Sequence, residues 1–406
     1  MDQALDVAVG HRPEASNALP GFLLLYGALY AAYGTESAYM PAFLGSHGLS
    51  LERIGLVLAA GTVVRIVAGP VAGRLADHLG ARKQILTGAA GLSGVIGWAY
   101  MLAFGLTPLL AVSMAHAAAT ASLAPLSDAL SVAASNGGRN FQYGWVRGTG
   151  SAAFVCGTLL SGQLVDRFGL SSIIITSSVL FLIMAVCAMR VRSVIAVRGP
   201  AEVHASGAFG MLWSIPVYRR LIVVVVLVIG SHALNDAFAV INWRDSGYGS
   251  GTISLLWSES VAAEVTVFFL FGPWLIGRLG PAGAAALSAA AGVLRWTVMG
   301  MTTAMPALVG VQALHGLTFA LMHLAAMGII ARSVPERLSA TAQTIYGTFA
   351  LGIASAVMTF ASGYLYGWLG MRAFWVMAAI CAAALPFVQG LRASVERDEM
   401  RAGEAT

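Results

Sequence analysis

Twelve apolar stretches, each long enough to cross a bilayer, dominate this chain of 406 residues. A spanning helix needs about 20 residues at a rise of about 1.5 Å each. Such stretches fall near 19–44, 51–75, 83–103, 106–133, 140–165 and 170–190, then near 217–242, 250–277, 282–303, 306–331, 337–365 and 371–391. Only 10% of the residues are charged, against about a quarter in a soluble domain, so the solvent for most of the surface is lipid. Lipid offers no partner to a bare peptide group, which leaves helices or a closed barrel, and these stretches are too long for barrel strands. The expectation is an all-α integral membrane protein of twelve transmembrane helices in two pseudo-symmetric six-helix halves.

The halves are expected at 19–190 and 217–391. A polar cytoplasmic linker lies between them at 191–216, with Arg190, Arg192, Arg198, Arg219 and Arg220 at or near its ends. Polar tails occupy 1–18 and 392–406, and the first has no cleavable-signal pattern, so the first apolar stretch is expected to act as the targeting signal. With both termini in the cytoplasm, Arg53, Arg167, Arg244 and Arg372 fall outside and Arg65, Arg147 and Arg295 within spans. The other sixteen of the 23 basic residues then lie inside. That distribution fixes the orientation in a cytoplasmic (inner) membrane. It also accounts for the net charge of +5, so nucleic acid is not an expected partner. Cys156, Cys187 and Cys381 sit singly in apolar stretches and read as small packing residues. SGQLVDRFGL at 161–170 echoes SGYLYGWLGM at 362–371, and GPVAGRL at 69–75 echoes GPWLIGRL at 272–279. A duplicated half with a site between the copies is a secondary-transporter arrangement.

A charge at the bilayer centre costs about 2.5–3.5 kcal/mol on insertion scales, so charges inside spans mark pathways or pairs. Counting from the turn near Asn136–Gly138, Asp128 and Arg147 lie level on the fourth and fifth spans and are placed to pair. Arg295 and His315 are level about Ala304, Glu264 and Arg295 about Gly280, and His232 and Glu264 about Gly247. These groups form a polar belt in the second half, to which Asp236, Glu259 and His323 are weaker additions. Glu36 and Arg65 either pair with each other or line the cavity, while His116 reads as a partner of a backbone carbonyl. The Arg147 fork suits a carboxylate, with Asp128 holding it when the site is empty. Asp128, Glu264 or His315 could carry a coupled proton. Tyr26, Tyr30, Tyr33, Trp257 and Tyr346 could cradle an aromatic or aliphatic solute, although most such residues pack or sit at interfaces.

The stretch GPVAGRLADHLGARK at 69–83 resembles the cytoplasmic gate signature of the major facilitator superfamily, matched by Gly73, Asp77, Gly80, Arg82 and Lys83. Small residues there let helices approach, and the charges can re-pair between conformations. A wider pattern is similar to the phenylpropionate permease branch, related to the lactose permease. It includes PLSDAL at 125–130, FQYGWVRGTGSAAF at 141–154, SHALNDAF at 231–238, LRW at 294–296 and LHGLTFALMH at 314–323. The resemblance implies that Asp128, Arg147, Arg295, His315 and Glu264 bind substrate. Trp145, Thr318 and Gln312 stand where the lactose permease has arginine, glutamate and lysine, and argue against lactose chemistry. Asn235 and Asp236 replace aromatic residues of the phenylpropionate branch.

The expected function is therefore secondary active transport, with proton-coupled uptake of a small organic carboxylate, aromatic ones among the candidates, by alternating access. Alternatives are a proton symporter for a sugar or nucleoside, or a sensor built on a carrier scaffold. No nucleophile elbow, metal-ligand cluster or phosphate loop suggests an enzyme or a cofactor, and no ATP-binding motif is present. The expected partners are a small solute, protons and the bilayer, with the chain acting as a monomer.

Overall fold

A computed structural model describes residues 18–135, 138–191 and 207–403, and from 392 onward the backbone only. The amino-terminal tail at 1–17, linker residues 192–206 with Arg192 and Arg198, Asn136, and residues 404–406 lie outside the described residues. The described chain is helical throughout, and the twelve expected spans are found. The first half holds α1 (Leu19–Ser37 continued by Met40–Ser46), α2 (Leu51–Leu79), α3 (Arg82–Ala99), α4 (Leu106–Thr120 and Leu123–Ser135), α5 (Tyr143–Phe168) and α6 (Ser171–Arg190). The second opens with α7 (Pro216–Gly230 and Ala233–Asp245). The run Ser250–Met299 is two spans, α8 and α9, parted at Gly280, whose φ of 66° and ψ of 166° no helix accommodates. Then come α10 (Met305–Ser333), α11 (from Glu336–Ile345 through Ser355–Leu369) and α12 (Ala373–Gly403).

Four spans are interrupted, at 38–39 in α1, 121–122 in α4, 231–232 in α7 and 314 in α10. These are the leading helices of four three-helix units, and the breaks lie beside Glu36, His232 and His315. Irregular backbone survives at membrane depth only where protein or a water-filled cavity surrounds it. Three π-helical segments, Val267–Phe271, Gly316–Leu321 and Tyr346–Ala354, lie in the second half. Each adds a residue to a turn and re-aims the side chains beside it.

The halves meet where α2 packs on α11, α5 on α8, and Met40–Ser46 on α7. The α5–α8 and Met40–Ser46 contacts lie toward the end that carries the turns at 46–51, 168–171 and 245–250, and the α2–α11 contact runs from that end to mid-span, where a Cβ on Gly352 would sit 2.8 Å from Ile66 Cδ1. Glycine makes them possible. A Cβ on Gly55 would sit 2.9 Å from the Thr359 carbonyl oxygen, and one on Gly363 2.8 Å from that of Leu51. A Cβ on Gly162 would fall 2.1 Å from Ser254 Oγ. Just beyond the apolar part of α5, Asp166 crosses to the other half. Its Oδ1 accepts the Ser250 N–H and its Oδ2 the Gly251 N–H, each at 3.0 Å. A carboxylate of one half thus caps the positive N-terminus of α8 in the other. Tyr39 adds a bond from its hydroxyl to the Ser250 carbonyl at 2.5 Å, and this end of the molecule is sealed.

Desolvation works against the Asp166 carboxylate, but the bonds from the Ser250 hydroxyl and the two backbone N–H groups outweigh it and hold the group below the usual carboxylate range. A group depressed in the sealed state favours that state above its open-state pKa, and the preference fades as pH falls through the sealed-state pKa. Acidifying the solution on that side is therefore expected to loosen the seal, read as faster modification of a cysteine placed at Ala237 by an impermeant thiol reagent. Asp166→Asn is expected to modify fast at every pH; a rate unchanged by that substitution would show that the cap does not hold the halves together.

Candidate functional site

Behind the seal lies a cavity of about 630 Å³ bounded by both halves. The first half contributes Tyr33 and Glu36 from α1, Arg65 from α2, Tyr100 after α3 and His116 from α4; the second contributes Asp236 from α7 and Ser355 from α11. The remainder of its wall sets hydroxyls such as Thr62, Ser113 and Thr359 among apolar residues that include Met40, Val57, Leu58, Phe154 and Leu351. Pockets for small organic molecules have this composition, with a few polar groups set in an apolar and aromatic surface.

Around the cavity in the first half, Glu36 and Arg65 do not pair with each other within ion-pair distance. Glu36 instead faces His116, with Oε1 3.7 Å from Nε2, and both are buried, at 9% and 3% exposure. The expectation of a backbone partner for His116 is corrected accordingly: its Nε2 has no hydrogen-bond partner among the described residues. Tyr100 and Phe181 hold the ring edge-on, each with its centroid 5.7 Å away.

Asp128 and Arg147 lie close, but they do not form the direct pair expected from their equal depth. The Asp128 carboxylate accepts the Tyr26 hydroxyl and, at 2.8 Å, that of Tyr143. Arg147 donates to the Tyr30 hydroxyl and also lies over that ring, its Cζ 4.9 Å from the centroid. Tyr26 and Tyr30 stack at 5.7 Å, so two aromatic rings stand between acid and base. Tyr33 extends the ladder edge-on at 6.0 Å and reaches the cavity wall.

The belt of the second half is assembled more closely than counting alone implied. Arg295 is wholly buried; its Nη1 meets His315 Nδ1 at 2.9 Å and its Nη2 donates to Gln312 Oε1 at 3.0 Å. His315 Nε2 lies 3.5 Å from Glu264. His232 Nε2 bonds Thr318 Oγ1 at 2.9 Å, which also stands 3.4 Å from Arg295. Two of the three substituted positions thus have definite roles, since Gln312 and Thr318 solvate the arginine; the third, Trp145, is exposed at 68%. His323 is apart, bonded to the Tyr346 hydroxyl at 2.8 Å. Glu259 is half-buried and has no partner among the described residues. Asp236 accepts from Asn235 at 3.2 Å and opens onto the cavity. Trp257 is buried in the core.

At the gate stretch, Gly80 ends α2 with a φ of 62°, and Asp77 pairs with Arg82 Nε at 2.6 Å while remaining 57% exposed. Gly73 meets nothing in this conformation, and no bond of Lys83 is seen among the described residues. The reading of single residues missed the Asp166 cap. A signal for it was present: Gly162, Asp166 and Gly169 repeat the spacing of Gly73, Asp77 and Gly80.

Residues 18–377 match the model of the MFS_1 like family. The chain is 33% identical over 366 residues to the "Probable 3-phenylpropionic acid transporter" of Escherichia coli (strain K12), covering 89% of this chain and 94% of that one. It is 25% identical over 379 residues to the maltose permease of Geobacillus stearothermophilus, covering 93% and 95%. Its fold resembles the nucleoside transporter NupG, with a TM-score of 0.79 at 15% identity over 93% of this chain and 98% of that one.

Removing the Arg295 fork strands the fully buried Gln312 Oε1 and takes away the partner of His315 Nδ1. Hydrogen bonds to charged groups contribute about 1.5–3 kcal/mol each, so Arg295→Gln is expected to lower the melting temperature of the detergent-solubilised protein by several degrees. An unchanged melting temperature would show that these bonds add nothing to the packing of α9 on α10.

Proposed function

This chain belongs to the MFS_1 like family of major facilitator superfamily transporters, and on that premise we propose that it takes up a small aromatic carboxylate together with protons. Transport by this fold is established by the family; the substrate and the coupling are our reading. The carrying observation is the chain-length 33% identity to a transporter named for 3-phenylpropionic acid, alongside a cavity whose wall mixes aromatic rings with one cation and several titratable groups. A ring would lie against Tyr33, Tyr100 and Phe154, and the charged end would need a guanidinium.

The polar sets able to answer such a solute are Arg65 with Glu36 and His116, Arg147 with Tyr30 beside Asp128, and Arg295 with His315 and Glu264. The carrier sits in the cytoplasmic membrane with both termini inside and acts as a monomer. In that orientation the sealed end is the outer one, and the conformation described is the one that releases cargo inward. Alternation is rocking of the two halves about the cavity, which breaks the α2–α11 and α5–α8 contacts and closes the opposite end.

A sugar symporter is the second reading, since the maltose permease also aligns over nearly the whole chain, though at lower identity. Binding to purified protein separates the two. 3-Phenylpropionate is expected to bind at least tenfold more tightly than its uncharged amide, and in proteoliposomes its uptake is expected to acidify a lumenal pH dye. Binding of maltose or a nucleoside with no preference for the acid would replace the carboxylate reading with the neutral-solute one.

A further inference from the structure

We propose that Arg65 is the anchor for the substrate's carboxylate and that the Glu36–His116 pair carries the coupled proton, so that binding and coupling share one site in the first half. This assignment rests on the carboxylate reading above and goes further by choosing among the polar sets.

Depth is the first argument. Arg65 is the middle residue of the 29-residue helix Leu51–Leu79, so its Cα stands at the centre of the span. A guanidinium there is costly unless an anion or water answers it. Among the described residues Arg65 has neither an ion-pair nor a hydrogen-bond partner, and it opens onto the cavity. The forks of the other two arginines within spans are answered: Arg147 by the Tyr30 hydroxyl and ring, and both Nη atoms of Arg295 by Gln312, His315 and Thr318, which leaves only its Nε without a partner among the described residues. Neither Arg147 nor Arg295 lines the cavity. Arg65 therefore combines a free fork with access, which is what a planar carboxylate requires.

The second argument is His116. A buried imidazole normally satisfies both nitrogens. Here Nε2 is unpartnered, buried and 3.7 Å from the Glu36 carboxylate, in the wall of the same cavity. The gap is slightly too long for a hydrogen bond and short enough to become one with a small shift. Such a pair can hold a single proton between Oε1 and Nε2. The charged and titratable groups around it are Tyr33 on α1, Arg65 on α2, Tyr100 after α3 and, across the cavity, Asp236 on α7. Arg65 is the single cation among them, so Glu36 and the substrate compete for it.

The sequence of events follows from that competition. From the loading side, one proton moves from water to the Glu36–His116 pair, forming one O–H bond on Glu36 or one N–H bond on His116, and in either case the pair goes from one net negative charge to none. Arg65 is then free for the incoming carboxylate. After the halves rock and the carboxylate leaves, Glu36 becomes the anion next to Arg65. That bond breaks and the proton passes to water on the release side. One anion and at least one proton cross, and nothing is oxidised or reduced.

The test uses the full chain, with 3-phenylpropionate and 3-phenylpropanamide as probes. Arg65→Gln is expected to abolish the acid-over-amide preference, a readout that general loss of packing would not select. Glu36→Gln is expected to bind the acid and to exchange internal for external 3-phenylpropionate, while losing at least tenfold in lumenal acidification. If Arg65→Gln keeps the preference, or Arg147→Gln is the variant that loses it, the anchor is misassigned. If Glu36→Gln acidifies the lumen at the wild-type rate, the proton site is elsewhere. Should Arg65→Gln fail to fold, the wild-type protein answers by mass spectrometry: 3-phenylpropionate and not the amide should slow modification of Arg65 by an arginine-selective glyoxal at least fivefold, and equal rates overturn the proposal. A wild-type protein with no acid-over-amide preference would instead sink the carboxylate reading itself.

Discussion

In lipid, two helices gain nothing by hiding apolar surface from water, because the acyl chains are as apolar as the side chains. What draws them together is van der Waals contact at close range, and that needs small residues. The seal between the two halves follows from this constraint. Gly55 and Gly363 let α2 and α11 pass backbone against backbone, and Gly162 does the same for α5 against Ser250 and Ser254 of α8. The α5–α8 contact lies toward one end and the α2–α11 contact runs from that end to mid-span, and the cavity with Glu36, Arg65 and His116 in its wall lies between the halves beside them. A contact made of backbone and dispersion rather than interlocked side chains can also be broken and remade without exposing buried charge, which suits a structure that must open there.

The same solvent sorts the charges within the spans. Several are held in fixed geometry by their partners: Asp128 by two tyrosine hydroxyls, Arg147 by Tyr30, and Arg295 by an amide and an imidazole, with only its Nε left unbonded among the described residues. Hydrogen bonds in a low-dielectric interior are strong, so the bonded ends of these side chains are stiffly held. Of the polar groups left without a hydrogen bond among the described residues, Arg65 and the Nε2 of His116 belong to the cavity wall. Where polar groups are left wanting in an otherwise well-satisfied interior, a ligand or a proton is the natural complement. The deep charge that looks most functional by type, Arg147, is less available than the one that looked ambiguous.

The spans and the two halves were legible from the sequence because they depend on length and hydropathy alone, and the bilayer enforces both. Depth was legible too, since residues equally far from a turn are level. Azimuth was not. Asp128 and Arg147 are level, yet Tyr26, Tyr30 and Tyr143 reach them first, because which face of a helix meets which neighbour depends on packing that a residue count does not contain. The family likeness marked Gln312 and Thr318 as departures without saying what they do. Their part in solvating Arg295 follows from the π-helical turn at Gly316–Leu321 and the break at 314, neither of which has a local sequence signature. His116 was read as inert because a single buried histidine usually is; only the position of Glu36 across the α1–α4 contact alters that.

The two ends of the first half carry the same device in different states. Gly73, Asp77 and Gly80 end α2, while Gly162, Asp166 and Gly169 end α5, with identical spacing and with positive φ at both closing glycines, 62° and 78°. At the sealed end Asp166 spans the interface and takes two N–H groups of α8, while Gly162 is in close contact. At the other end Asp77 turns back to Arg82, and Gly73 touches nothing. A carboxylate that can choose between its own strand of charges and the N-terminus of a helix in the opposite half has two partners of comparable strength, each worth on the order of 1 kcal/mol when exposed. Neither end can then be locked by this device alone. The balance between the conformations stays within reach of what a bound solute can supply, which a carrier requires and a permanently fastened structure would forbid.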